Sequence, residues 1–466
     1  MRTIRFILFT LAAVMVSGCV LAPRGTKEEQ SRADTTARAH QYEPPYERRT
    51  IPGLPAQPTW RDVLQRAFLV NGDLEAAYFE WRAALQRIPQ VANYPNTNIA
   101  PTFSYLFSGG QMKSWDRTTI NVGFDPMENL SFPTKVAQAG KVALDNARAA
   151  GARFEEKKFE VQRKVLDSYL ELALMEQKIR IRQDNVALLK MLSDTAADRV
   201  RAGGSQQDLL RAQTQHRLAE DELATMVSQH HAMLAMLNGM LARPSDAEIA
   251  IPVDLPAPRA LPAEDARLIA AATDRSPQLA RLAHEVQGRT DALELARMAY
   301  IPDINPFAAF TGGVSQAVGA MVILPTTIPE IQGRIAEERA MLRSTEAMLR
   351  QAKNDRAAGF VAALFALRNS ERRARVYETI ILPRADQALA GARQAYTTGT
   401  GSFSDLVESQ RMVLDIRLMI AESRVEREKR LAELEEIAGV DVETLAPTTM
   451  PATTPSAAIQ ARVESP

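Results

Sequence analysis

The chain has 466 residues, 46% hydrophobic and 24% charged, a composition that supports a substantial core. Its 56 basic and 56 acidic side chains cancel, so there is no basic surplus to attract nucleic acid. A single cysteine excludes an internal disulfide. The five histidines form no metal-ligand pattern, because His230 and His231 are adjacent and would leave a helix in different directions.

The first element is a processing signal over residues 1–18. Arg2 and Arg5 give it a positive start, and Phe6 to Val16 is an apolar run of signal-peptide length. A bilayer-spanning helix takes about 20 residues, so this run is too short to be one. It ends in Val16-Ser17-Gly18-Cys19, which resembles a bacterial lipobox and implies cleavage before Cys19 and its acylation. The other reading is an ordinary secretory signal with a chance cysteine, but the chain's one cysteine stands where lipidation needs it. Acyl chains there would hold the mature N-terminus to membrane lipid. Residue 20 is Val, not the Asp that retains many such lipoproteins at the inner membrane, so the resemblance favours the outer membrane. Residues 19–58 are polar and proline-rich and read as an extended tether.

Two repeats follow, at 59–243 and 263–440. A proline-rich linker at 244–262 joins them, and a tail over 441–466 reads as disordered. Val165-Leu166-Asp167-Ser168-Tyr169 matches Val361-Ala362-Ala363-Leu364-Phe365 in type. Gly204-Ser205 matches Gly401-Ser402, and the run from Asp208 to Gln213 matches that from Asp405 to Gln410. Each repeat opens with a helix, Thr59 to about Arg87 and then Pro277 to about Ala299. A region of alternating residues comes next. A very long helix follows, Pro133 to Val200 and then Pro329 to Tyr396. A glycine-bearing turn leads into a last helix, Gln206 to Leu241 and then Phe403 to Ala438.

The first long helix would run roughly 100 Å at 1.5 Å per residue, and its two shorter partners together span about the same. Val165, Leu172, Ile179 and Val186 recur every seven residues, as do Phe360, Leu367, Ala374 and Ile381, which implies coiled-coil packing. The alternating regions read as membrane strands. Ile99, Pro101, Phe103, Tyr105 and Phe107 share one face, and Ile120, Val122 and Phe124 alternate with Thr119, Asn121 and Gly123. Gly109-Gly110 and the polar stretch to Arg117 fit the connecting loop, with Trp115 as an interface anchor. Val314, Val318, Val322 and Leu324 alternate less cleanly, and Ile304 to Thr311 is weakest. Two soluble hairpins packed on the helices are the other reading. The smallest outer-membrane barrels use about 8 strands, so four strands per chain require several chains to share one barrel.

With these residues in place, the chain resembles the TolC family of outer-membrane efflux proteins over roughly Thr59 to Val440. The strongest piece runs from Tyr396 to Gln410 and looks like the family's Tyr-x-x-Gly-x-x-Ser-x-x-Asp-Leu hairpin tip. Leu431-Ala432-Glu433-Leu434 to Gly439 looks like its closing helix. The resemblance implies a mostly α fold with a small membrane β part. It implies a homotrimer in which a two-repeat coiled-coil helical barrel in the periplasm continues into a shared twelve-strand β-barrel in the outer membrane. It further implies a periplasmic adaptor protein docked on the helix tips and an inner-membrane pump that supplies energy. Leu382-Pro383 resembles the heavy-metal-export branch, although proline inside a helix also has a plain kink role. The first tip departs from the pattern, with Val200 in place of the tyrosine and one residue fewer between its first glycine and Asp208. Leu324 to Pro329 lacks the family's Phe-x-Gly-Gly approach to the helix.

The resemblance carries the family's entrance aspartates onto Asp405 and Glu408. Three apart at a helix start, they share a face, and a trimer would gather six carboxylates around a mouth that attracts cations. The plainer role is favourable interaction with the helix dipole. Tyr396 is either core packing or part of the gate contact that the family suggests. Gly203, Gly204, Gly399 and Gly401 allow a tight reversal, Ser205 and Ser402 can cap the next helices, and together they form the adaptor-docking tips. No phosphate loop, nucleophile elbow or zinc spacing is present, so no enzyme activity, cofactor or metal is expected. The expected function is the outer-membrane channel of a tripartite efflux system for small molecules or metal ions. Type I protein secretion and a non-conducting coiled-coil scaffold lipoprotein are the alternatives.

Overall fold

The computed structural model describes residues 21–36, 39–93, 99–108, 110–124, 131–251, 259, 276–313 and 315–440. Cys19, the tail and most of the linker lie outside the described residues. Helices dominate: α1 Thr26–Thr35, α2 Ala39–Tyr42, α3 Trp60–Val70, α4 Gly72–Val91, α5 Pro133–Arg201, α6 Gln206–Met240, α7 Pro277–Arg297, α8 Ile328–Val376, α9 Leu382–Thr398 and α10 Phe403–Ala438. The strands are β1 Ile99–Tyr105, β2 Thr118–Phe124, β3 Asp303–Thr311 and β4 Ser315–Ile323. The chain forms two compact units, one of Met1–Thr50, Gly72–Lys158 and Pro277–Asp355, the other of Ile51–Asn71, Phe159–Ser276 and Arg356–Pro466.

In the first unit the strands form one antiparallel sheet in the order β1-β2-β3-β4. The alternation that marked them in the sequence now has a register. Phe103 opposes Ile120, Ile120 opposes Phe310, and Ala308 opposes Val318, so these residues share one face. That face is bare in the single chain: Phe103 is 70% exposed and Val318 89%. The opposite face carries Thr102, Ser104, Thr119, Asn121, Asn305, Thr311 and Ser315. β3, the weakest segment in the sequence, pairs along its whole length with β4. On that opposite face β3 is less polar, because Phe307 lies over Gly319, where a Cβ would stand 2.7 Å from the ring.

Residues 21–36 depart from the extended reading. α1 lies against α4 and α5, with Trp81 Nε1 donating to Glu29 at 3.0 Å and the Arg32 guanidinium 4.9 Å above the indole. Trp81 stacks on Phe154, and α5 approaches closely at Gly151, where a Cβ would meet the indole at 2.8 Å. Arg49 forms a two-pronged pair with Glu75 and holds the end of the segment. The first helix of the repeat is also divided, because Asn71 is extended between α3 and α4.

In the second unit Val165, Leu172 and Ile179 of the first heptad are buried, and Phe360 and Leu367 of the second pack with Leu431, Leu434 and Ile437 of α10. The seven-residue seams are therefore core at these positions, while Val186, Ala374 and Ile381 are half-buried. Thr59 and Asp62 cap α3 reciprocally, and Thr59 holds the Asp62 carboxyl below the usual range. Tyr169 donates to Pro58 O at 3.3 Å, and burial pushes its phenol up to about 12. Arg259 in the linker reaches α10 through Glu428 and Glu435 at 3.0 and 2.7 Å. The second long helix is interrupted: a π turn at Tyr377–Ile381 separates α8 from α9.

Candidate functional site at the helix tips

The two repeat turns are built alike. α5 ends at Arg201 and α9 at Thr398, and each is followed by a left-handed glycine, Gly203 at φ 95° and Gly399 at φ 79°. A side chain is strained in that conformation, which ends the helix and satisfies its last carbonyls. The second glycine of each turn lets the backbone fold back: Gly204 N donates to Arg199 O at 2.8 Å, and Gly401 N to Ala395 O at 2.9 Å. A serine then starts the next helix. Ser205 Oγ accepts from Asp208 N at 3.4 Å and Ser402 Oγ from Asp405 N at 3.1 Å. The spacing difference seen in the sequence sits in these turns and leaves their construction intact.

Behind the turns, Leu189, Leu192, Ala196, Ala212, Ala219, Tyr396, Phe403 and Leu406 form one apolar cluster from α5, α6, α9 and α10. Tyr396 is 3% exposed and meets Phe403 edge-on at 5.8 Å. Its other face carries the Arg199 guanidinium at 4.0 Å. Arg199 also donates to Tyr396 O, and to Thr397 O at 3.3 Å, capping the end of α9 from the other repeat. Sequence reasoning missed Arg199, because its partner lies 197 residues away. The only local signal was a basic residue in the last turn of a long helix.

Asp405 and Glu408 part company in the structure. The Asp405 carboxylate turns back and accepts from Ser402 N at 3.4 Å, completing a capping box. Glu408 instead lines a groove of about 1060 Å³ between α6 and α10. Leu210, Val407, Met412 and Ile416 give the groove an apolar lining, and Arg211, Glu408, Arg411 and Asp415 give it charge. Among the described residues no three His, Cys, Asp or Glu side chains gather as a metal site would need. Among them, too, no helix is long and apolar enough to cross a membrane.

No protein-family profile matches the chain, and no curated sequence is similar to it. Solved structures are similar over most of its length. The outer-membrane channel OprN matches with a TM-score of 0.69 at 16% identity, over 82% of this chain and 90% of its own. The outer membrane protein VceC of Vibrio cholerae matches at 0.67 and 14%, over 82% and 96%. The open state of the Neisseria gonorrhoeae MtrE outer membrane channel matches at 0.67 and 16%, over 83% and 90%. The chain therefore has the fold of the TolC-like outer-membrane channels, mostly helical with a small β part, as the tip motif implied.

Proposed function

We propose that this chain is the outer-membrane channel component of a tripartite efflux system, exporting small molecules or metal ions from periplasm to exterior through a trimeric pore. The observation that carries this reading is the four-stranded sheet. It has one bare apolar face, one largely polar face, and edge strands β1 and β4. Strands of 7 and 9 residues are about 23–30 Å long at 3.3 Å per residue, and at a barrel tilt of roughly 40° they rise about 18–23 Å, close to the roughly 25 Å of an outer-membrane apolar band. Four strands cannot close a barrel, but three copies joined β4 to β1 supply twelve and leave no edge. The apolar face then meets lipid and the polar face lines the lumen. The solved structures of like fold are outer-membrane channels, which supports the same reading.

In this arrangement Cys19 carries the lipid anchor in the outer membrane, and the helices extend into the periplasm. The turns at Gly203–Ser205 and Gly399–Ser402 receive a periplasmic adaptor, and an inner-membrane pump supplies the energy. Asp405 and Glu408 stand at the entrance, and Tyr396 packs behind them. Reconstitution tests the function. The purified protein should run as a trimer in detergent and give discrete single-channel steps in planar bilayers. A trimer that never conducts would favour the scaffold reading, and a stable monomer would remove the shared barrel. Cys19→Ser should fold yet lose palmitate labelling; label retained in that variant would remove the anchor.

A further inference from the structure

The tip groove mixes charges from both repeats. Arg211 comes from α6, and Glu408, Arg411 and Asp415 come from α10. All four are solvent-exposed. Arg211 crosses the groove, its Nη1 donating to Ser404 Oγ at 3.2 Å. Ser404 lies one helical turn before Glu408, and positions four apart share a helix face with their Cβ atoms about 6 Å apart. Arg211 is thereby held one helical turn from Glu408 in the same groove, a separation on the order of the screening length of about 8 Å at physiological ionic strength. Asp405 does not line the groove, its carboxylate being folded back on Ser402. The groove therefore balances two carboxylates against two guanidinium groups.

We propose that Arg211 is a selectivity-determining residue of the export channel, which cancels the field of Glu408 at the tip and leaves the mouth nearly indifferent to the sign of small ions. The inference rests on the channel reading above. A ring of unopposed glutamates would concentrate cations and be plugged by multivalent ones. With Arg211 beside each Glu408, cations and anions meet similar fields. The balanced charges and the apolar lining suit an amphiphilic solute of low net charge better than a bare metal cation.

Reversal potentials under a KCl gradient test this in the full-length trimer, with hexamminecobalt(III) as the blocking probe. The wild type should show little preference and weak block. Arg211→Gln should raise the potassium-to-chloride permeability ratio severalfold and strengthen block by the trivalent cation. Glu408→Gln should shift the ratio the other way, and the double variant should return towards wild type. Arg211→Lys keeps the charge and should hold the wild-type ratio, which separates a charge effect from damage to the tip. A conducting Arg211→Gln channel with an unchanged ratio overturns this inference alone. A wild type that never conducts overturns the channel reading and this inference with it.

Discussion

Asp145 on α5 and Asp291 on α7 are both buried in the first unit, and their carboxyl groups are hydrogen-bonded to each other. Gln138 donates to Asp291 Oδ1 at 3.0 Å and to Glu294 at 3.2 Å, and Arg148 donates to Asp145 at 3.1 Å. Burial, then the bond to Asp291, pushes the Asp145 carboxyl up to about 6. Between its unfolded value near 3.8 and about 6, the folded chain holds a proton that the unfolded chain has released. Stability from this group is therefore complete below that window and falls as pH rises through it. Thermal unfolding of the wild type should show a falling midpoint from about pH 4 to 6, and Asp145→Asn should flatten this segment of the profile. Parallel profiles for the two proteins would mean that Asp145 titrates as an ordinary carboxyl. None of this was legible in the sequence, where both aspartates look like solvated helix acids and only packing of distant segments joins them. Ser205, Ser402 and the left-handed glycines were legible, because turns and caps are local. Asp405 was half legible: its place at a helix start could be read, but not that its carboxylate serves the cap.

At the scale of elements, the seven-residue seams and the glycine-marked turns located the long helices, since both signals repeat within a few residues. Two features escaped. No apolar stripe announces α1, which is held by Glu29, Arg32 and Trp81 through polar and cation–π contacts. The continuous helix expected from Pro329 to Tyr396 instead contains a π turn, and Pro383 is the physical reason. It has no N–H to give Thr379 O, and its ring crowds that carbonyl. The preceding turn widens, with Leu382 N–H donating to Tyr377 O. Tyr377, Ile381 and Leu382 then pack on Ala385, Val413, Ile416 and Ile420. Pro383→Ala should restore the ordinary ladder and raise the unfolding midpoint, with a helix-propensity gain of at most about 3 kcal/mol. A lowered midpoint would show that this packing, and not the proline, holds the wide turn.

At the scale of the whole molecule, a single chain leaves the residues of the sheet's apolar face uncovered, and the trimeric barrel we propose would account for them by giving them lipid. Adjacent positions on β4 test that assignment, because neighbours on a strand point to opposite faces. Val318 opposes Ala308 on the apolar side, and Ala317 opposes Ala309 on the other. Both are exposed in the isolated chain, so neither substitution breaks a packed core. Val318→Arg would place a cation near the middle of the strand against hydrocarbon, a cost of about 2–4 kcal/mol per chain at the bilayer midplane, incurred three times in a trimer. Ala317→Arg would place the same cation in a water-filled lumen, where it keeps its hydration. Heat-resistant trimers extracted from outer membranes and resolved by semi-native electrophoresis should be depleted for Val318→Arg and near normal for Ala317→Arg. Equal tolerance of both would mean that the apolar face never meets lipid, and loss of Ala317→Arg alone would mean that the barrel is built with its faces reversed.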